Sequence, residues 1–243
     1  VGITHTPITR IFVDFAVTPG EKFDLPSNEA HHIFKVLRAR NGDTFEVSDV
    51  ARRLYAAEVR VNREIVALEE LSAPGGEDAG ITLYQAVPKE QRMDLVVEKA
   101  TELGAKNITP LVTEHSVVEP GGNKVERWRR LAEAAARQSL QLRVPEIGGP
   151  VSFAQALREV GESSGVLLHN DEDLPSLESV IVEPPVSLFV GPEGGWSEEE
   201  LRFAEEAGLA SAQLGPYRLR SETAGMIAVA RAQAALERSG KRL

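Results

Sequence analysis

The segment Phe189-Val190-Gly191-Pro192-Glu193-Gly194-Gly195-Trp196-Ser197-Glu198-Glu199-Glu200 decides how this chain is read. An apolar run ends at Val190, glycines and a proline follow, and a helix signal opens at Ser197, so the stretch is a strand–loop–helix junction. Gly191, Gly194 and Gly195 permit positive φ and close approach of the backbone to a ligand. Pro192 removes a donor and stiffens the turn. Ser197 with Glu200 forms a capping box, and the helix it opens is expected to end at Gly208. A second junction follows: Leu214-Gly215-Pro216-Tyr217-Arg218-Leu219-Arg220-Ser221-Glu222-Thr223-Ala224. In open α/β sheets ligands bind beyond the carboxyl ends of the strands, so the two loops are candidate walls of one pocket.

Neither loop is a phosphate cradle of the usual kinds. There is no G-x-x-x-x-G-K-[ST], and Gly191-Pro192-Glu193-Gly194 does not fit G-x-G-x-x-G. Glu193 would also repel a phosphate. For one loop alone, a tight turn with glycines kept for geometry is the plainer reading. Both together, with Arg220 and Glu222 in the second, favour a pocket.

Outward from the junctions, the pattern alternates. Ile81 to Val87, Ile108 to Val112, Gly165 to His169 and Val186 to Val190 are strand runs, and Gln213-Leu214 ends another. Gln91 to Leu103 is a helix with Met93, Val96, Ala100 and Leu103 on one face and Gly104 as its stop. Val125, Trp128, Leu131, Ala135, Ser139 and Leu142 keep a helical period that Pro145 halts. A final helix, Thr223 to Arg238, is small and apolar almost all round, which predicts cover on most sides. The alternation argues for a mainly parallel sheet wrapped by helices. Residues 10 to 72 are different: short strand candidates at Ile11-Phe12-Val13, Thr44 to Val47, Tyr55 to Val61 and Ile65 to Leu71 surround one helix, capped by Ser27 and running through Val36. The division expected is 1–72, a linker at 73–80, and 81–243.

Composition bounds the function. The chain has 243 residues, 42% of them hydrophobic, and no cysteine. No apolar run approaches the ~18 residues of a membrane span, and no signal peptide is visible. His5, His31, His32, His115 and His169 show no metal-ligand spacing. The expectation is a cytoplasmic protein with no metal and no membrane partner. The net charge is −10, yet Asp171 to Glu206 alone holds eleven acidic residues against Arg202. Lys124 to Arg143 has a local excess of basic residues, and Lys35, Arg38 and Arg40 form a second basic cluster. An acidic protein can bind RNA through such a local cleft.

The paired motifs G-P-E-G-G-x-S and L-G-x-x-x-L-R-x-E-T-A resemble those of the SPOUT class of knotted methyltransferases, and more narrowly the RsmE family. His32-Ile33-Phe34-Lys35-Val36-Leu37-Arg38 is similar to that family's H-I-x-x-V-L-R signature, and Lys89 to Gly104, Ile108-Thr109-Pro110-Leu111 and Arg143-Val144-Pro145-Glu146-Ile147 are similar to further stretches. The resemblance spans nearly the whole chain and implies an α/β fold: a trefoil-knotted parallel sheet with helices on both faces, plus a small amino-terminal PUA-like β-barrel. It implies S-adenosylmethionine-dependent methylation of N3 of a uridine in 16S ribosomal RNA by a homodimer working on ribosomal RNA or the small subunit. Alternatives are a SPOUT enzyme acting on another RNA such as transfer RNA, or an inactive PUA-type assembly factor.

The lack of cysteine fits. Methylation of pyrimidine carbon 5 commonly uses a cysteine nucleophile, whereas transfer to nitrogen needs positioning and deprotonation. Carried over residue by residue, the resemblance assigns cofactor contacts to Leu168, His169, Asn170, Val190, Gly191, Pro192, Glu193, Gly194, Gly195, Leu214, Gly215, Leu219, Arg220, Thr223 and Ala224. It assigns catalysis to Arg220 and Glu222, with an ion pair pinning the loop as the plain alternative. RNA contacts fall on Arg10, His32, Lys35, Arg38, Lys89 and Arg92. One stretch departs: many relatives have E-Q-[SC]-G-R where this chain has Arg137-Gln138-Ser139-Leu140-Gln141.

Overall fold

The computed structural model describes residues 9–72, 80–116, 121–161, 164–181 and 183–238. The chain divides into two compact units, Val1–Gly76 with Ala136–Val144, and Glu77–Ala135 with Pro145–Leu243. Most of the linker expected at 73–80 lies outside the described residues. The return of Ala136–Val144 to the first unit had no counterpart in the sequence reading.

The first unit contains β1 (Arg10–Phe12), β2 (Lys22–Phe23), α1 (Ser27–His31), β3 (Thr44–Ser48), β4 (Leu54–Val59) and β5 (Ile65–Leu71). They form a mixed half-barrel in the order β1-β3-β4-β5-β2, with β1 parallel to β3 and the other pairs antiparallel. Alternation places Phe45, Val47, Tyr55, Ala57, Val59, Ile65 and Ala67 in one core with Ile11 and Ile33. The helix expected to run from Ser27 through Val36 is corrected in two ways. Pro26 is its N-cap, with no side-chain cap, and after His31 the helix widens into a π-helical turn, His32–Val36, in which Leu37 N donates to His32 O at 3.0 Å. Such turns often mark functional sites. This one buries Ile33 and leaves Lys35, Val36, Leu37 and Arg38 exposed, with Arg38 at φ +55°.

The second unit contains β6 (Ile81–Ala86), α2 (Arg92–Glu102), β7 (Asn107–Val112), α3 (Gly122–Gln138), β8 (Glu146–Ile147), β9 (Val151–Ser152), α4 (Phe153–Glu159), β10 (Ser164–Leu168), α5 (Leu177–Val180), β11 (Val186–Val190), α6 (Glu198–Glu206), β12 (Ala210–Ala212) and α7 (Ser221–Arg238), the last turn of α3 belonging to the first unit. The helical period read through Leu142 is also corrected, because α3 ends at Gln138 and Leu140 takes φ +55°. Every pairing of this sheet is parallel, in the order β12-β10-β11-β6-β7-β8, with β9 also on β7.

β11 is buried from end to end, as a parallel strand covered on both faces must be. On one face Tyr84, Leu167 and Phe189 pack with Phe153 and Ala156 of α4 and with Trp196 and Ala204 of the α6 region; the Tyr84 and Phe189 rings stack 4.6 Å apart. The opposite face carries Gln85, next to Ser221 and Gly225 of α7 and near Val96 of α2. Helices therefore cover both faces, as the motifs led us to expect. No helix among the described residues is long and apolar enough to cross a membrane.

Candidate active site

Three loops leave the carboxyl ends of β10, β11 and β12 and enclose a cavity of about 610 Å³, a size usual for a small-molecule or cofactor site. The β10 loop contributes Leu168, His169 and Asn170, and the β11 loop contributes Val190 through Trp196. The β12 loop and the start of α7 contribute Leu214, Gly215, Tyr217, Arg218, Leu219, Arg220, Ser221 and Ala224. Leu168, Val190, Leu214, Leu219 and Ala224 make apolar walls, with loop backbone between them. Such a lining suits a flat, largely apolar ligand with polar edges.

Local chemistry explains the first loop. Gly195 takes φ +75° and closes a turn onto the Pro192 carbonyl at 3.0 Å. A Cβ on Gly191 would come within 3.0 Å of the Trp196 ring, so a side chain there would crowd that ring. The capping box is present: Ser197 Oγ accepts from Glu200 N, and the Glu200 carboxylate accepts from Ser197 N. Glu200 also accepts from Glu114 N at 2.9 Å.

Cross-bracing between the loops was not read from sequence. Trp196 Nε1 donates to the Leu168 carbonyl at 2.9 Å, tying the first loop to β10. Gln213 fastens the loop after β10: its Nε2 donates to the Glu172 and Leu174 carbonyls, its N to Pro175, and its carbonyl accepts from Leu177 N. Arg218 Nη2 donates to the Glu193 carbonyl at 3.0 Å, and Ser221 Oγ to the Gly191 carbonyl at 2.7 Å. The Glu193 carboxylate accepts from Lys89 N at 3.1 Å. The walls are thus set before any ligand arrives, as an efficient site requires.

The two candidate catalytic side chains are placed differently. Arg220 lines the cavity and is exposed, and its guanidinium has no ion-pair partner among the described residues. Glu222 lies outside the cavity lining. Its side chain is 9% exposed, Oε1 accepts from Arg92 Nη1 at 3.2 Å, and Oε2 is buried with no hydrogen-bond partner among the described residues. An ion pair between Arg220 and Glu222, the plain alternative, is not what the chain forms. Thr223, expected at the cofactor, is likewise not on the cavity wall.

Among the expected RNA contacts, Arg10 is corrected. It is 1% exposed, pairs with Glu46 at 2.6 Å and donates to the Leu140 carbonyl, so it braces the first unit and no phosphate can reach it. Lys35 and Arg38 are exposed on the π-helical turn, and His32 is half-buried there. In the second unit Lys89 is exposed, while Arg92 is shared between Glu222 and Glu90. The departure in the α3–β8 segment has a physical counterpart: Arg137 Nη2 donates to the buried Glu29 carboxylate at 2.7 Å. No cluster of three or more His, Asp or Glu side chains able to hold a metal occurs among the described residues.

Comparison with known proteins gives the family of the chain. The family model described as an RNA methyltransferase domain matches residues 77–233, and that described as an RNA methyltransferase PUA domain matches residues 25–71. The chain is 31% identical over 221 residues to ribosomal RNA small subunit methyltransferase E of Synechocystis, covering 88% of this chain and 73% of that protein. Its fold superposes on that of a putative methyltransferase of Legionella pneumophila, solved with bound S-adenosylmethionine, with a TM-score of 0.83, 30% identity, and coverage of 95% and 98% of the two chains. It also superposes on the ribosomal RNA small subunit methyltransferase E of Neisseria gonorrhoeae, likewise bound to S-adenosyl methionine, with a TM-score of 0.84, 29% identity, and coverage of 95% and 98%. From family models, sequence and shape together, the chain belongs to the ribosomal RNA small subunit methyltransferase E family.

Proposed function

We propose that this protein transfers a methyl group from S-adenosylmethionine to N3 of a uridine in 16S ribosomal RNA. The observation that carries the reading is the cavity at the carboxyl ends of β10, β11 and β12, with Arg220, which has no ion-pair partner among the described residues, on its wall. Leu168, His169, Asn170, Val190, Gly191, Gly195, Leu214, Gly215, Leu219 and Ala224 would hold the cofactor between apolar walls and loop backbone, which fits a flat adenine ring with polar edges. When bound there, the cofactor supplies an electrophilic methyl group.

The protein's own share is orientation and charge. Uridine N3 must lose a proton as it attacks. We assign that proton to Glu222 Oε2, which is buried beside the cavity wall without a hydrogen-bond partner among the described residues and turns toward the base as RNA binds. Arg220 faces the negative charge that spreads onto the uracil carbonyl oxygens and stabilises it. Lys35 and Arg38 on the first unit, with Lys89 and Arg92 on the second, meet RNA phosphates, and His32 supports that contact.

A homodimer is part of the proposal. Leu95 of α2 and Ile227 of α7, on helices that pack together, are large apolar side chains left exposed, and a second subunit would cover them. The reaction takes place with cytoplasmic ribosomal RNA and calls for no metal.

The test is direct. Full-length protein is incubated with S-adenosylmethionine and either small ribosomal subunits, naked 16S RNA or transfer RNA, and nucleosides are mapped by mass. One new 3-methyluridine in 16S RNA, insensitive to chelator, is the expected result. Methylation of transfer RNA alone would redirect the substrate, and cofactor binding without methylation of any RNA would refute the enzyme.

A further inference from the structure

Gln85 stands at the carboxyl end of β6, wholly buried, and is not part of the cavity wall. A polar side chain in that position is costly unless it is bonded. Its Nε2 donates to the Ala86 carbonyl at 3.0 Å and to Ser221 Oγ at 2.9 Å, and lies 3.5 Å from the Ser221 carbonyl. Ser221 Oγ in turn donates to the Gly191 carbonyl at 2.7 Å. The amide cannot be turned over, since that would set its oxygen against two carbonyl oxygens. Gly191 and Ser221 both line the cavity, one on each glycine loop. One buried side chain thus reaches both loops through a single hydroxyl.

The other end of the amide is equally constrained. Among the described residues Gln85 Oε1 has no hydrogen-bond partner, and it lies against Gly225 of α7. A Cβ on Gly225 would overlap that oxygen and come within 3.3 Å of the Gln85 Cδ and 3.6 Å of Val96 Cγ1. Glycine in a helix interior is normally unfavourable. Here its missing side chain is the space that lets the amide keep its pose.

We propose that Gln85 is a positioning residue for the cofactor site, acting through Ser221 on Gly191, and that Gly225 exists to admit it. The inference rests on the cavity being the S-adenosylmethionine site. In the relay, Gln85 fixes the hydroxyl of Ser221 as a donor toward Gly191, and that bond sets the separation of the two loops. With the relay intact the cofactor meets walls already at the right spacing; without it, binding must order them first, and affinity falls.

Calorimetric titration of the full-length protein with S-adenosylmethionine tests this. Ser221→Ala should weaken binding about tenfold, the worth of a lost buried hydrogen bond. Ser221→Thr, which keeps the hydroxyl, should bind within about threefold of the unmodified protein, a gap small beside that loss. In the Gln85→Ala background, Ser221→Ala should add little, because both changes break one relay. Gly225→Ala should weaken both binding and thermal stability. Combining it with Gln85→Ala should restore stability to that of Gln85→Ala alone while leaving affinity low, an outcome a purely structural role does not give. In turnover assays the cofactor KM should rise while kcat at saturation stays within about twofold.

Unchanged affinity in Ser221→Ala, or losses that multiply in the double variant, would overturn the relay alone. Failure of the unmodified protein to bind S-adenosylmethionine would overturn the relay and the functional reading together.

Discussion

The two glycine loops look alike in sequence but are held in different ways. The first closes on itself and its neighbours: Gly195 turns onto Pro192, Ser197 and Glu200 cap α6 reciprocally, and Trp196 fastens to the adjacent strand end. The second depends on distant residues. Arg218 reaches Glu193, Ser221 reaches Gly191 and Gln85, and Glu222 reaches Arg92, 130 positions earlier in the chain. A loop with internal closures of its own, anchored outside at Lys89 and Glu114, is suited to holding a ligand. A loop whose side chains are set from elsewhere in the unit is where reacting groups can be aimed, because each partner fixes one of them.

That contrast predicts that changes at Arg220 and Glu222 in the second loop cost turnover, whereas a change at the helix cap in the first costs stability. Glu222→Gln removes the proton acceptor and should lower kcat by about 10² to 10⁴, with cofactor affinity little changed. Equal collapse of binding and turnover would make it a structural pin. Arg220→Ala should lower kcat by about 10² to 10³, as loss of one preorganised charge-stabilising donor does. Because its guanidinium has no ion-pair partner among the described residues, the thermal unfolding of this variant should be unaltered.

Ser197→Ala in the first loop should cost about 1 kcal/mol of stability, visible as a lower denaturation midpoint, with kcat retained. A large fall in kcat would erase the distinction between the loops. The smallest effect is expected at the anchor of α7. Hydrogen bonds from Arg231 hold the Glu178 carboxyl below its usual 4.5. Its contribution is therefore full at neutral pH and fades as pH falls below that value through the lower folded one. Glu178→Gln should lose under about 1 kcal/mol at pH 7, and the difference from the unmodified protein should vanish in strong acid.

Much of this molecule was legible because its signals are local. β5 spans Ile65–Leu71, as its alternating pattern indicates, and Ser197 with Glu200 marks the start of α6. The cavity residues flanking the glycines follow from strand ends and turn chemistry. What escaped reading depends on long-range pairing. Arg10 has the look of a free cation until Glu46 and the Leu140 carbonyl enclose it. Gln213 and Gln85 carry no local mark at all, since an amide's role is set by whichever backbone groups the fold brings to it. The helical period through Leu142 misled because Ser139 to Val144 is shaped by the first unit rather than by its own propensity.

That last segment has a consequence for biosynthesis. Ser48 Oγ donates to the Leu142 carbonyl at 2.5 Å, and Arg137 meets buried Glu29, so the amino-terminal half-barrel lacks part of itself until residue 144 has been made. At about 5–20 residues per second, synthesis from the end of β5 to Val144 takes roughly 4 to 15 seconds. Throughout that interval the nascent half-barrel carries a carboxylate awaiting its arginine and a hydroxyl awaiting its acceptor. The two units cannot simply mature one after the other as the chain emerges; completion of the earlier one waits on elongation through the later.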